Sequence, residues 1–124
     1  MIAILVAVKQ ELRPILARAE ASHIVRQAHL DFYEGTLAGK PVALLALGIG
    51  KECARIAAEM TIRCYRPDLI ISAGFGGGLS PQVANGDIVI GTEALDESMA
   101  IIAASEVAML LTPTGVVESC TALM

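Results

Sequence analysis

The fold of this chain is decided by residues 69–79, which read LIISAGFGGGL. The apolar residues Leu69 to Ile71 predict a buried strand, and four of the five residues from Gly74 to Gly78 are glycines. Glycines at the end of a strand suggest that another group approaches the backbone closely there. In open α/β sheets, ligands bind in the crevice at the carboxyl ends of the strands. The stretch therefore predicts an α/β fold with a small-molecule site at this strand end.

The length and composition of the chain are typical of a folded protein with a single domain. Its 124 residues predict a single domain spanning 1–124, and 55% hydrophobic against 18% charged residues fit strands that are buried on both faces. Aromatic residues make up 3%, tryptophan is absent and the net charge is −4. These values argue against stacking platforms and basic surfaces, so we expect no nucleic-acid partner.

Cysteine usage and the start of the chain predict a cytoplasmic protein. The three cysteines are odd in number, which favours a reducing compartment. Neither the cysteines nor His23 and His29 have the spacing of a metal site, so we expect structural roles for these residues and no metal. Residues 2–8 are apolar without a basic segment before them, which indicates a strand rather than a signal peptide. No apolar run approaches the roughly 20 residues of a membrane helix, so we expect no membrane partner.

Strand and helix patterns alternate along the chain, which predicts a mixed or mainly parallel sheet. Residues 38–40 (AGK) are a hairpin signal between two of the strands, and Pro14 is tolerable only in the first turn of its helix. Strands are predicted at 2–8, 23–27, 32–37, 41–47, 69–74, 87–92 and 115–119, and helices at 10–20, after Gly50 through Cys64, and at 98–111.

Neither glycine cluster matches a known phosphate-binding motif. Residues 48–53 (GIGKEC) lack the third glycine of a dinucleotide fingerprint and the Ser or Thr after lysine of a P-loop, and Leu79 stands where residues 74–79 would need their third glycine. Gly48 to Gly50 has two interpretations. It is a tight turn before a helix, or it places free helix N–H groups near an anion or hydroxyl.

Three segments, taken in order, carry a resemblance to a known family. They are residues 4–12 (ILVAVKQEL), residues 32–35 (FYEG) through 48–51 (GIGK), and residues 66–81 followed by 85–89 (NGDIV). Together they resemble the superfamily of purine nucleoside phosphorylases and methylthioadenosine/S-adenosylhomocysteine nucleosidases. The resemblance is close to about residue 92 and looser beyond it. It implies a three-layer α/β fold with a mixed sheet of the nucleoside phosphorylase type.

The resemblance implies cleavage of the N-glycosidic bond of an adenosine-type purine nucleoside, by water or by phosphate as co-substrate, without a cofactor. Glu11 matches the carboxylate that handles the attacking water, and such a carboxylate can accept the proton that water loses at an oxocarbenium-like centre. The alternative is that Glu11 is an exposed first-turn glutamate that complements the helix dipole.

The same resemblance implies a set of substrate-binding residues. Phe75 stands where the nucleosidases usually carry Ser or Thr, and in this it is similar to a subgroup of phosphorylases acting on large 5′-substituted adenosines, including hopanoid-pathway members. The alternative for Phe75 is a core residue that caps the sheet. In the implied site, Ala7 and Val8 line the region of the ribose and the nucleophile, and Ile49 forms an apolar wall near the sugar or its 5′-substituent. The purine and ribose rest on the segment of Phe75, Gly76 and Gly77.

The family completes its site with a downstream Met-Glu pair and a Ser-Asp segment, whereas this chain ends at Met124. We therefore expect an incomplete domain, truncated after about six strands. The alternative function is a non-catalytic family member that binds nucleoside weakly or only self-assembles. The apolar helix predicted at 98–111 either packs within the chain or forms a homo-oligomer interface.

Overall fold

The computed structural model describes residues 1–95, 101–104, 109–112, 115–118 and 120–123. The chain divides into two compact units, Met1–Gly76 and Gly77–Met124. That the two units form one domain stays a prediction. Among the described residues, no helix is long and apolar enough to cross a membrane.

The first unit is a five-stranded mixed sheet with two helices. Its strands lie in the order β2-β3-β4-β1-β5, with β1 parallel to both β4 and β5 and with antiparallel pairing from β2 to β4. The predicted mixed α/β fold is confirmed. In chain order the elements are β1 (Ile2–Val6), α1 (Lys9–Leu16), β2 (Glu20–Gln27), β3 (Leu30–Leu37), β4 (Lys40–Ala46), α2 (Lys51–Tyr65) and β5 (Leu69–Ser72).

Strand β1 is buried on both faces, which explains its unbroken apolar sequence. On one face, Ile4 and Val6 pack with Leu12 of α1. On the other face, Leu5 packs with Phe32 of β3 and Ala57 of α2. The sheet therefore lies between the two helices as the middle of three layers.

The hairpin predicted at residues 38–40 is confirmed. Ala38 and Gly39 connect β3 to β4, and both have positive φ angles, 50° and 72°. Positive φ at both central residues is the geometry of a type I′ turn, whose twist matches that of the flanking strands. This turn fixes the register in which Thr36 lies opposite Pro41.

The first two predicted helices form, but α1 ends at Leu16 and not at residue 20, where β2 begins. Helix α2 ends at Tyr65, and Arg66 caps it in the left-handed conformation with φ 44°. Helix α1 begins at Lys9, so Pro14 lies in the second turn and not in the first, where we expected it. Because proline has no N–H, the carbonyl of Gln10 loses its helical partner there, and the helix ends two residues later.

In the second unit, strands are the regular secondary structure of the described residues, and a loop with turns precedes them. Two three-stranded sheets form, in the orders β10-β9-β6 and β11-β7-β8. The strands are β6 (Ile88–Val89), β7 (Gly91–Leu95), β8 (Ile101–Ala104), β9 (Met109–Thr112), β10 (Gly115–Glu118) and β11 (Cys120–Leu123).

The helix predicted at 98–111 is wrong where the structure describes it. Residues 101–104 and 109–112 are strands, and the rest of the predicted helix lies outside the described residues. Its sequence is apolar nearly throughout and so lacks the polar face that marks a helix, while Ile101 and Ile102 favour strand. The range 87–92, predicted as one strand, contains β6 and the start of β7, and the two strands are separated by Ile90.

Candidate active site

Three loops meet where the parallel strands β1, β4 and β5 end. The N–H groups of Leu47 and Gly48 donate to the carbonyls of Val6 and Ala7, at 2.8 and 2.9 Å. On the other side, the N–H of Ala73 donates to the carbonyl of Leu5 at 2.9 Å. These bonds extend the sheet pairing past the strand ends and hold the three loops side by side.

Glu11 lies at this edge because α1 begins directly after β1. It is the third residue of the helix, and its Oε2 accepts hydrogen bonds from the N–H groups of Ala7 (3.0 Å) and Val8 (3.2 Å). Val8 caps the helix, but its side chain has no acceptor, so only the glutamate half of a capping box forms. In this respect Glu11 does serve as a first-turn glutamate of α1.

Glu11 also makes a bond that a purely local cap would not make. Its Oε1 accepts a hydrogen bond from the N–H of Phe75, 64 residues away, at 2.9 Å. This bond joins the loop after β1 to the loop after β5. The carboxylate is thus held by three backbone N–H groups from two different loops.

The hydrogen bonds set the charge of this carboxylate. The N–H of Phe75, followed by that of Val8, lowers the pKa of Glu11 below its ordinary value, and the partial loss of hydration opposes the shift. Glu11 is therefore ionised at neutral pH. A fixed, ionised carboxylate can accept a hydrogen bond from a water molecule and then take its proton.

Two large apolar side chains lie exposed beside this carboxylate's loops. Phe75 is 75% exposed, and Ile49, in the loop between β4 and α2, is 79% exposed. The alternative interpretation of Phe75, a core residue that caps the sheet, does not hold for the first unit, because a side chain this exposed is not part of a core. Small-molecule sites are lined mainly by apolar side chains with a few placed polar groups, so these two side chains are candidate lining residues.

The remaining predicted site residues divide between the units. Ala7 and Val8 are half-buried, and their N–H groups donate hydrogen bonds to Glu11. Gly76 follows Phe75, and a Cβ built on it would meet no atom within 4 Å. Gly77 begins the second unit, so its role stays a prediction. The sequence analysis did not predict that backbone N–H groups would hold Glu11. The one signal for this contact was the position of Glu11, three residues after Val8, which caps α1.

The chain bends at Ile49 and Gly50, between β4 and α2, in line with the interpretation as a turn. Gly48 and Gly50 have φ angles of 97° and 103°, and Gly50 caps α2 without a side-chain acceptor. Binding of an anion there stays a prediction. In the part of the chain that the structure describes, no cluster of three or more His, Cys, Asp or Glu side chains could hold a metal ion.

Taken together, the fold and this edge define an α/β domain with a carboxylate fixed at the carboxyl ends of its parallel strands. Residues 1–108 match the family model of the Phosphorylase superfamily. The chain belongs to this superfamily, which confirms the resemblance noted from its sequence.

Nucleosidases are among the relatives that it matches. The chain is 39% identical over 92 residues to the 5′-methylthioadenosine/S-adenosylhomocysteine nucleosidase of Shewanella halifaxensis, covering 74% of this chain and 40% of that protein. The structure of the Neisseria meningitidis nucleosidase in complex with methylthio-immucillin-A has 37% identity and a TM-score of 0.69, covering 76% of this chain and 41% of that one. The Colwellia psychrerythraea nucleosidase with adenine has 26% identity and a TM-score of 0.71 over 76% and 39%. The chain thus spans about 40% of the length of these relatives.

Proposed function

We propose that this protein cleaves the N-glycosidic bond of an adenosine-type purine nucleoside, with Glu11 as the base that positions and deprotonates the nucleophile. The observation that carries the proposal is the Glu11 carboxylate, fixed by the N–H groups of Ala7, Val8 and Phe75 at the strand ends. Membership of the Phosphorylase superfamily and the nucleosidase relatives support the same chemistry.

In the proposed reaction, the bond between C1′ of the ribose and the purine nitrogen breaks, and its electron pair leaves with the purine. The oxygen of the nucleophile bonds to C1′ as Glu11 takes the proton that this oxygen loses. That proton balances the charge once it is passed on to the departing purine. General-base assistance of this kind contributes about 10²–10⁴-fold to a rate.

We propose water as the nucleophile. An ionised Glu11 attracts the hydrogens of a neutral water, whereas a phosphate anion about 4 Å from it would meet a repulsion of about 4 kcal/mol at an effective dielectric constant near 20. One feature favours phosphate instead, since Phe75 brings no hydroxyl to a position where the nucleosidases usually carry one. Phosphorolysis is therefore the second candidate reaction.

For the substrate we propose an adenosine with an apolar 5′-substituent. The exposed side chains of Ile49 and Phe75 offer apolar surface at the strand ends, beside the loops that hold Glu11. The 5′-methylthioadenosine in the names of the relatives supports this choice, because its methylthio group is apolar.

The test is release of the free base from purified protein. 5′-Methylthioadenosine, S-adenosylhomocysteine and inosine are each supplied with and without phosphate, and adenine or hypoxanthine is measured. We expect adenine release without phosphate, reduced about 10²–10⁴-fold in Glu11→Ala. The matched control is Glu52→Ala, which removes a first-turn glutamate of α2 that pairs with Arg55 at 2.6 Å, and it should leave the rate unchanged.

Other results would change the proposal in defined ways. Release that requires phosphate would replace water by phosphate. Nucleoside binding without release would favour the non-catalytic alternative, and a rate unchanged in Glu11→Ala would remove Glu11 from the chemistry.

We also propose that the protein is a cytoplasmic homo-oligomer. Within the first unit, β5 exposes 51% of Leu69, 36% of Ile70 and 38% of Ile71, and such apolar surface is commonly covered in solution. Cys53 and Cys64 are free thiols, as a reducing compartment would keep them. Sedimentation equilibrium checks the assembly, and a purely monomeric species would contradict it.

A further inference from the structure

Gly74 lies against the carboxylate of Glu11. A Cβ built on Gly74 would stand 2.8 Å from Oε1, 3.2 Å from Cδ and 3.5 Å from Oε2 of Glu11, and these are its three nearest heavy atoms. A Cβ essentially never approaches another atom to 2.8 Å. The carboxylate therefore occupies space that any other residue type at position 74 would fill.

The neighbouring glycines do not share this feature. A Cβ on Gly76 or Gly77 would meet nothing within 4 Å. Gly74 also has no positive φ angle that would call for glycine on backbone grounds. Among the atoms of this chain, those nearest to a side chain at position 74 therefore belong to the carboxylate of Glu11.

We propose that Gly74 is a positioning residue for Glu11, because its missing side chain is what allows the carboxylate to reach the N–H of Phe75. Gly74 acts through Glu11 and needs no contact with substrate. The catalytic consequence rests on the proposed function, whereas the positioning itself does not.

The geometry predicts a selective effect of adding one methyl group. In Gly74→Ala, the flexible end of Glu11 moves rather than the backbone, so the fold is retained. Oε1 must leave the N–H of Phe75, while Oε2, at 3.5 Å from the new Cβ, can keep its bonds to Ala7 and Val8. The Phe75 bond is the largest cause of the lowered pKa of Glu11, so that pKa rises in the variant.

Positioning is tested by NMR on the full chain, with no substrate. The carboxyl carbon of Glu11 and the amide of Phe75 are followed through a pH titration. In the unmodified protein the Phe75 amide should report the protonation of Glu11. In Gly74→Ala this response should disappear and the pKa of Glu11 should rise, and an unaltered titration would overturn the proposal.

Gly78→Ala serves as the control for this titration. It adds the same methyl group in the same glycine run, but its Cβ would come no closer than 3.4 Å, to the carbonyl of Val83. Both NMR signals should titrate as in the unmodified protein. Equal changes in Gly74→Ala and Gly78→Ala would show a general effect of the run and would overturn the proposal.

A double-mutant cycle separates positioning from a backbone role. Gly74→Ala is introduced into the unmodified chain and into Glu11→Ala, and the denaturation midpoints are compared. If Gly74 serves Glu11, the substitution lowers the midpoint in the unmodified chain relative to its effect in Glu11→Ala, where the carboxylate is gone and an unobstructed alanine keeps or raises the midpoint. Equal shifts in both backgrounds would mean that glycine is needed for the backbone, against the proposal.

The kinetic readout depends on the proposed function. With 5′-methylthioadenosine, Gly74→Ala should lower kcat about tenfold, less than the loss expected for Glu11→Ala, with KM changed less than about twofold. If the NMR response is lost as expected and even the unmodified protein releases no adenine, the proposed function fails and the positioning stands. If kcat falls while the NMR titration is unaltered, the positioning fails and the function stands.

Discussion

Gly35 of β3 and Gly74 after β5 are both glycines that other atoms crowd, yet they are crowded by different kinds of atoms. A Cβ on Gly35 would stand 2.2 Å from the carbonyl oxygen of Glu20 and 2.7 Å from the Cα of Ala21. Those atoms belong to the backbone of β2, where the pairing with β3 is irregular between Ala21 and His23. At Gly74, the crowding atoms are the end of a side chain that can change its rotamer without moving the backbone.

The difference separates a glycine that the fold requires from one that the site requires. Backbone atoms cannot move without shifting the strands that carry them, so the cost of crowding at Gly35 falls on stability. A carboxylate can swing away at little cost to the fold, so at Gly74 the cost falls on the placement of Glu11. Substitutions across the glycines of this chain therefore test whether the identity of the crowding atom decides the outcome.

The largest loss of stability is expected for Gly35→Ala. The added methyl group forces β2 and β3 apart, and overpacking of this kind costs about 1–3 kcal/mol of the free energy of unfolding, sometimes more. Urea denaturation followed by circular dichroism measures it. A cost below about 0.5 kcal/mol would show that the bulge at Ala21 to His23 relaxes freely and would break the comparison with Gly74.

A smaller loss is expected for Gly48→Ala, for a different reason. Its Cβ would meet only Cys53, at 3.4 Å, which is ordinary contact, but the φ of 97° is strained for any residue with a side chain. Such strain costs about 1–3 kcal/mol, and we expect the lower half of that range. The control combines Gly48→Ala with Cys53→Ala. If the cost disappears in the double variant, contact with Cys53 and not backbone strain is the cause.

The smallest effect is expected for Gly76→Ala. Nothing lies within 4 Å of its Cβ and its φ is not positive, so the methyl group meets no resistance. Replacing such a glycine reduces the entropy of the unfolded chain and can add about 0.4–1 kcal/mol of stability. A fall in the denaturation midpoint would mean that open space is not sufficient for tolerance in this glycine run.

Much of the first unit could be predicted because its signals are local. The apolar run of β1, the AGK turn and the glycine after β4 each determine structure within a few residues. The failures have physical causes as well. The range 98–111 has too few polar residues to show a helical or strand period, so its pattern does not distinguish a strand from a helix. The preference of proline for the first turn of a helix predicts the wrong place for Pro14, which lies in the second turn of α1.

The candidate site could be predicted only as far as its residue types. Glu11 and Phe75 were identified separately, through a family resemblance. Their hydrogen bond depends on β5 lying next to β1, a pairing between residues far apart in sequence that no local pattern encodes. The role of Gly74 was hidden for the same reason, since the atom that requires it arrives from α1.

The bond between Phe75 and Glu11 has one more consequence, for how this site can diversify. Phe75 holds the base through its peptide group, and every amino acid except proline has the same N–H to offer. Its ring, 75% exposed, takes no part in that hold. Position 75 can therefore exchange its ring for a hydroxyl, and so change what the site accepts, while the base stays where it is.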